Sequence, residues 1–102
     1  MFNPNWKDQN TDLLVRSLLT LRDEDDVYRL LEDLCTISEI KAMAQRIQVA
    51  SLLSQNITYN NIAHDTGAST ATISRVKRCL NYGADGYKRI LGYLDEEMEN
   101  DK

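Results

Sequence analysis

The chain has 102 residues, of which 42% are hydrophobic and 27% charged, and its formal net charge is −4. That length supports one domain with a modest core, and four glycines with one proline argue against a disordered or fibrous chain. Its apolar runs reach about five residues, far below the ~20 needed to span a bilayer. The opening MFNPNWKDQN lacks the basic and apolar regions of a secretory signal, and Cys35 and Cys79 form no CxxC pair or disulfide framework. A reducing cytoplasm is the expected location.

Six segments read as helix in chain order. The first covers roughly 8–21, with Leu14, Leu18 and Leu21 at helical spacing and Leu13 beside them. Asp23 is a good N-cap for a second helix at about 24–35, whose apolar face is Val27, Leu30, Leu31 and Leu34. Thr36 and Glu39 fit a capping box for a third helix at about 37–54, expected to turn Ile40, Met43, Ala44, Ile47 and Ala50 toward a core. Thr58 caps a short helix near 59–65, Gly67 makes a turn, and Ser69 caps a helix to about Leu80. Asp85 is expected to cap the last helix, with Tyr87, Ile90, Leu91, Leu94 and Met98 on its apolar face and an acidic tail fraying from Asp95. The reading is an all-α single domain, 1–102: dimerisation and scaffold helices over 8–54, a helix-turn-helix over 58–80, and a C-terminal helix over 85–98. The leucines at 13, 14, 18, 19 and 21 exceed one narrow stripe, which predicts a homodimer that covers the surplus.

Charge is segregated along the chain. The first 38 residues and the last eight are acidic, whereas 66–94 carry Arg75, Lys77, Arg78, Lys88 and Arg89 against Asp85 alone. A locally basic segment in an acidic chain is compatible with nucleic-acid binding, because local potential outweighs net charge.

The segment TYNNIAHDTGASTATISRVKRCL, Thr58 to Leu80, carries the chemistry. A helix-turn-helix needs two short helices over a small shared core. Ile62 and the small Ala63 serve the first helix, Gly67 the turn, and Ile73, Val76 and Leu80 turn the second helix back. At 100° per residue, Ala71, Arg75 and Arg78 then face outward, with Thr72 and Ser74 on the flanks. Ser69 and Thr70 stand at the helix start, the part that meets base edges in a major groove. Hydroxyls approach bases closely, methyls contact thymine, and arginines pair with phosphate or guanine. Asn60 and Lys77 complete the expected DNA-binding set.

The stretches SEIKAMAQRIQVASLL and ITYNNIAHDTGASTATISRVKRCLNYG resemble the Trp repressor family, particularly its YerC/YecD-like branch, with GAST and ATISR as the most specific pieces. The resemblance covers Thr36 to Tyr93. It implies a six-helix Trp-repressor-like fold, an intertwined homodimer with interlocked N-terminal helices, and a helix-turn-helix that reads an operator in double-stranded DNA. In tryptophan-responsive members, an arginine from the recognition helix and one from the scaffold helix hold the corepressor. Arg75 matches the first, and Arg46 the second if a one-residue gap falls before Leu53. Val76 stands where those members have glycine and Cys79 where they have serine. A valine would occupy the indole's space, and a thiol is a weak partner for an ammonium group. The residues Arg46, Arg75, Val76 and Cys79 are thus a possible ligand pocket, but tryptophan is disfavoured. A smaller ligand, or none, stays open.

Other residues read as structural. His64 is a surface residue with no second metal ligand at suitable spacing. The cysteines read as small buried hydrophobes, and Trp6 and the tyrosines as packing residues. Asn56-Ile57-Thr58 is a glycosylation sequon without consequence in a cytoplasmic chain. No nucleophile–base pair, phosphate-cradling loop or cofactor fingerprint is present, and Glu96, Glu97 and the 23–26 acids imply no cleft, so an enzyme is not expected. The rival to a DNA-binding regulator is a helix-turn-helix module that docks another protein.

Overall fold

The computed structural model describes residues 1–100 and contains six α-helices: α1 (Gln9–Leu19), α2 (Glu24–Leu34), α3 (Ile37–Ser54), α4 (Tyr59–Thr66), α5 (Thr70–Tyr82) and α6 (Gly86–Asn100). Among the described residues, no helix is long and apolar enough to cross a membrane. Two compact units divide at Ile40 and Lys41.

Local side-chain chemistry starts most of the helices. Asp23 accepts the Asp26 N–H at 2.9 Å. Thr36 Oγ1 accepts the Glu39 N–H at 3.1 Å while Glu39 Oε1 accepts the Thr36 N–H at 2.8 Å, a complete capping box. Thr58 and Ser69 cap α4 and α5 through the Asn61 and Thr72 N–H groups. A further capping box, Asp8 with Thr11, begins α1, so the helix starts at Gln9, one residue after the expected 8.

The Glu39 carboxylate is held below the ordinary glutamate pKa by the Thr36 N–H and then the Thr36 hydroxyl. A group with a lowered folded-state pKa stabilises the fold above its unfolded value, about 4.3 for glutamate, and loses that contribution as the pH falls through the lowered value. Acidification below about pH 4.3 is therefore expected to lower the thermal midpoint followed by circular dichroism, and Glu39→Gln to weaken that dependence.

In the unit from Lys41 onward, the core is Val49, Ala50, Ile62, Ala68, Ile73, Val76 and Leu80. Leu52, Leu53, Ile57, Tyr59, Ala63, Tyr87 and Leu91 pack around it. The face expected of α3 is corrected here: Ala50 is buried, but its core neighbour is Val49, while Ala44 is exposed and Ile47 is 40% exposed. On α6 only Tyr87 and Leu91 pack, and Ile90, Leu94 and Met98 remain open.

Three smaller expectations also change. Asp85 sits at φ +66°, and its carbonyl accepts the Arg89 N–H at 3.0 Å; its carboxylate makes no capping bond. Helix α6 continues past Asp95 to Asn100, since glutamate and methionine favour helix and no glycine or proline interrupts them; the last two residues of that tail lie outside the described ones. Cys79 is exposed and Cys35 half-buried, and Trp6, Tyr28, Tyr82 and Tyr93 are all more than half exposed, so they are not the packed residues expected.

In the unit from Met1 to Ile40, no residue is buried. Leu13, Leu14, Val15, Leu18, Leu19, Val27, Leu34 and Ile37 all leave substantial apolar surface open.

Candidate nucleic-acid interface

The interface begins with the turn between α4 and α5. Helix α4 ends at Gly67, whose φ of +72° lies in the left-handed region that glycine adopts without a Cβ penalty. The Gly67 N–H donates to the Ala63 carbonyl at 2.9 Å and closes the last turn. Thr66 Oγ1 donates to the Ile62 carbonyl at 2.7 Å and accepts the Ala68 N–H at 3.1 Å. Ala68 is buried, so the turn is pinned at both ends before α5 starts.

Ile73, Val76 and Leu80 then fasten α5 by its buried side, at 0%, 1% and 8% exposure. Away from that side, Ala71, Ser74, Arg75 and Arg78 are exposed; Ser69 and Thr70 at the helix start and Lys77 on a flank are exposed too, and Thr72 is half-buried. Ser69 Oγ accepts the Thr72 N–H and donates to Thr72 Oγ1, both at 3.1 Å, leaving one lone pair for an outside donor. The Thr70 and Ala71 N–H groups lie in the first helical turn, without intrahelical partners. Asn60 is exposed on the first turn of α4. Lys77 Nζ lies 5.3 Å from the centroid of the Tyr59 ring, so an aromatic face steadies this cation beside the exposed side of α5. His64 is at the surface, with Nδ1 3.2 Å from Asp65 Oδ1.

The four residues considered for a ligand do not share one lining. Val76 belongs to the core, Arg75 is exposed on α5, and Arg46 is half-buried on α3. Cys79 lines an open apolar cavity of about 430 Å³ with Ile47, Ala84, Gly86, Tyr87 and Ile90. No arginine lines it, so no guanidinium in that wall would pair with the carboxylate of an amino acid. At the far end of α5, Gly83 is sterically required: a Cβ there would collide with the Cys79 carbonyl.

One contact escaped the sequence reading. Gln45 Nε2 donates to the Thr66 carbonyl at 3.2 Å, in a partly buried position. A glutamine on a helix looks like ordinary polar surface, and its partner lies 21 residues away, so no local pattern could reveal it.

Comparison with known proteins agrees with this architecture. The family model described as Trp repressor protein matches residues 9–95. YerC of Bacillus subtilis strain 168, an uncharacterised protein, is 54% identical over 85 residues, covering 83% of this chain and 82% of its own. A TrpR-like protein from Eubacterium eligens superposes with a TM-score of 0.86 at 49% identity, covering 91% of this chain and 96% of that one. A candidate Trp repressor from Staphylococcus aureus superposes with a TM-score of 0.84 at 43% identity, covering 88% and 90%. Proteins of this family are non-enzymatic regulators. Six helices, a helix-turn-helix over one shared core, and a match across nearly the whole length lead to one assignment: the chain belongs to the Trp repressor family.

Proposed function

We propose that the protein is a sequence-specific regulator of transcription, a repressor in kind, which acts in the cytoplasm as a homodimer and reads double-stranded DNA through α5 without tryptophan as corepressor. The observation that carries this reading is the division of α5. One side is locked into the core by Ile73, Val76 and Leu80; the other offers Ala71, Ser74, Arg75 and Arg78 to solvent, with Ser69 and Thr70 exposed at the helix start and Lys77 exposed on a flank. Such a helix is rigid where it must be held and polar and cationic where it would enter a groove. Small hydroxyl residues at its N-terminal end suit base edges, and the cations suit phosphates. Asn60, exposed on the first turn of α4, and the half-buried Thr72 complete the proposed contact set.

The homodimer follows from the N-terminal unit, which buries nothing within one chain. A second copy presents the same apolar faces and covers them by two-fold symmetry. Two reading helices would then stand about one DNA turn apart, ~34 Å, and favour a pseudo-palindromic site.

Duplexes recovered by genome-wide pulldown with the protein supply the test. Affinity for them should fall steeply with added salt as phosphate contacts exchange for counterions. Lys77→Ala should weaken all duplexes alike, whereas Thr70→Ala and Ser74→Ala should change the preference at particular base pairs by roughly 1–3 kcal/mol. If all three substitutions leave affinity unchanged, α5 does not read DNA. Binding that is flat with salt would mark a protein-docking module instead.

A further inference from the structure

We infer that Gln45 is a positioning residue for the reading helix, an internal latch that holds the turn of the helix-turn-helix against α3 by donating its side-chain amide to the Thr66 carbonyl. The inference deepens the DNA-reading proposal and rests on it. Among the described residues, this is the one side-chain hydrogen bond that joins positions more than five residues apart. Every other such bond is a cap, a turn or a contact along the same stretch of chain.

Its place in the fold gives it leverage. Thr66 is the last residue of α4, and the closing carbonyls of a helix have no intrahelical partner. Gly67 satisfies the carbonyl of Ala63, and Gln45 satisfies that of Thr66. Thr66 is also tied through its hydroxyl to Ile62 on one side and Ala68 on the other. Ala68 is buried, and the next residue, Ser69, is the cap from which α5 sets out. A continuous path of hydrogen bonds and chain therefore runs from α3 through Thr66 and Ala68 to the end of α5 that carries Ser69 and Thr70. Displacing Thr66 displaces the residues expected to meet bases, while the cations one to two turns further along remain anchored by Ile73 and Val76. Losing the latch should therefore blur discrimination among sequences more than it weakens general attraction to DNA. A primary amide is neutral at all ordinary pH, so the latch needs no ligand and no charged state to engage.

Gln45→Met keeps the length and flexibility of the side chain but removes the donor. Gln45→Lys restores a donor that can reach a carbonyl. Two readouts apply to the full-length protein: amide hydrogen exchange at Gly67 and Ala68 without DNA, and the ratio of affinities for a recovered site and a scrambled duplex of equal length. In Gln45→Met, exchange at both amides should speed up, and the affinity ratio should fall about three- to tenfold, the range expected for the net contribution of one hydrogen bond. In Gln45→Lys, both should return toward the parent. The ratio cancels the extra positive charge, which acts on both duplexes. A Gln45→Met protein that matches the parent in both readouts, or a Gln45→Lys protein as impaired as Gln45→Met, overturns the latch. If the parent itself shows no preference among duplexes, the DNA-reading proposal fails, and the exchange rates alone decide whether Gln45 holds the turn.

Discussion

Leu14→Glu together with Leu18→Glu is expected to abolish the dimer and, with it, the folded N-terminal unit. Helices α1 and α2 have 11 residues each, and isolated helices shorter than ~12–15 residues are marginal in water even with good caps. Their stability must come from packing an apolar face, yet no residue before Lys41 is buried within one chain. Leu14 and Leu18 are 43% and 45% exposed, and Leu13 and Leu19 more so. Covering a leucine stabilises by about 1.5–3 kcal/mol, so two replacements by charged side chains remove several kcal/mol before the cost of burying the new charges is counted. Sedimentation of the parent at low micromolar concentration should give twice the chain mass, and the double variant should lose both that mass and part of its helical circular dichroism. A compact parent monomer with all six helices intact would defeat the dimer proposal.

The second large effect is expected at Val76. This side chain is 1% exposed and packs in one core with Val49, Ala50, Ile62, Ala68, Ile73 and Leu80. Val76→Gly removes that burial, opens a cavity beneath α5 and places glycine inside a helix, for a loss of about 2–4 kcal/mol. Because Val76 also anchors α5, the proposed reading helix, DNA affinity should fall with stability. In tryptophan-responsive members of the family, a bound indole supports this region; here the protein's own valine is proposed to do so. The parent should accordingly bind its sites equally well with and without millimolar L-tryptophan. A tenfold tightening, about 1.4 kcal/mol of coupling, would overturn that reading. A Val76→Gly protein as stable and as tight as the parent would show that the side chain does not brace the helix.

The helix-turn-helix was legible in the sequence because its determinants are close together. Ile62, Gly67, Ile73, Val76 and Leu80 lie within 19 residues, and each has a role that spacing alone defines. The structure places Gly67 in the left-handed region and the four others in the core. Helix starts were equally readable at Asp23, Thr36, Thr58 and Ser69, where a side-chain oxygen meets a backbone N–H three residues on. Asp85 shows the limit of that rule. An aspartate is among the few non-glycine residues that occupy the left-handed region, and Asp85 does so here instead of capping with its carboxylate.

Helix α3 marks the boundary more clearly. It is apolar on more than one side, so periodicity offers two competing faces. Of the face expected from sequence, Ile40, Met43, Ala44, Ile47 and Ala50, only Ala50 enters the core. Its buried neighbour on α3 is Val49, and the two pack with Ile62, Ile73 and Val76. The sequence by itself determined the six helices, the turn, the core of the helix-turn-helix and the exposed residues of α5, because those depend on neighbours within a turn or two or within one short motif. The tertiary structure decided which side of α3 enters that core and that Gln45 reaches Thr66. Both depend on where chain segments some twenty residues apart come to lie, and no local spacing encodes that placement.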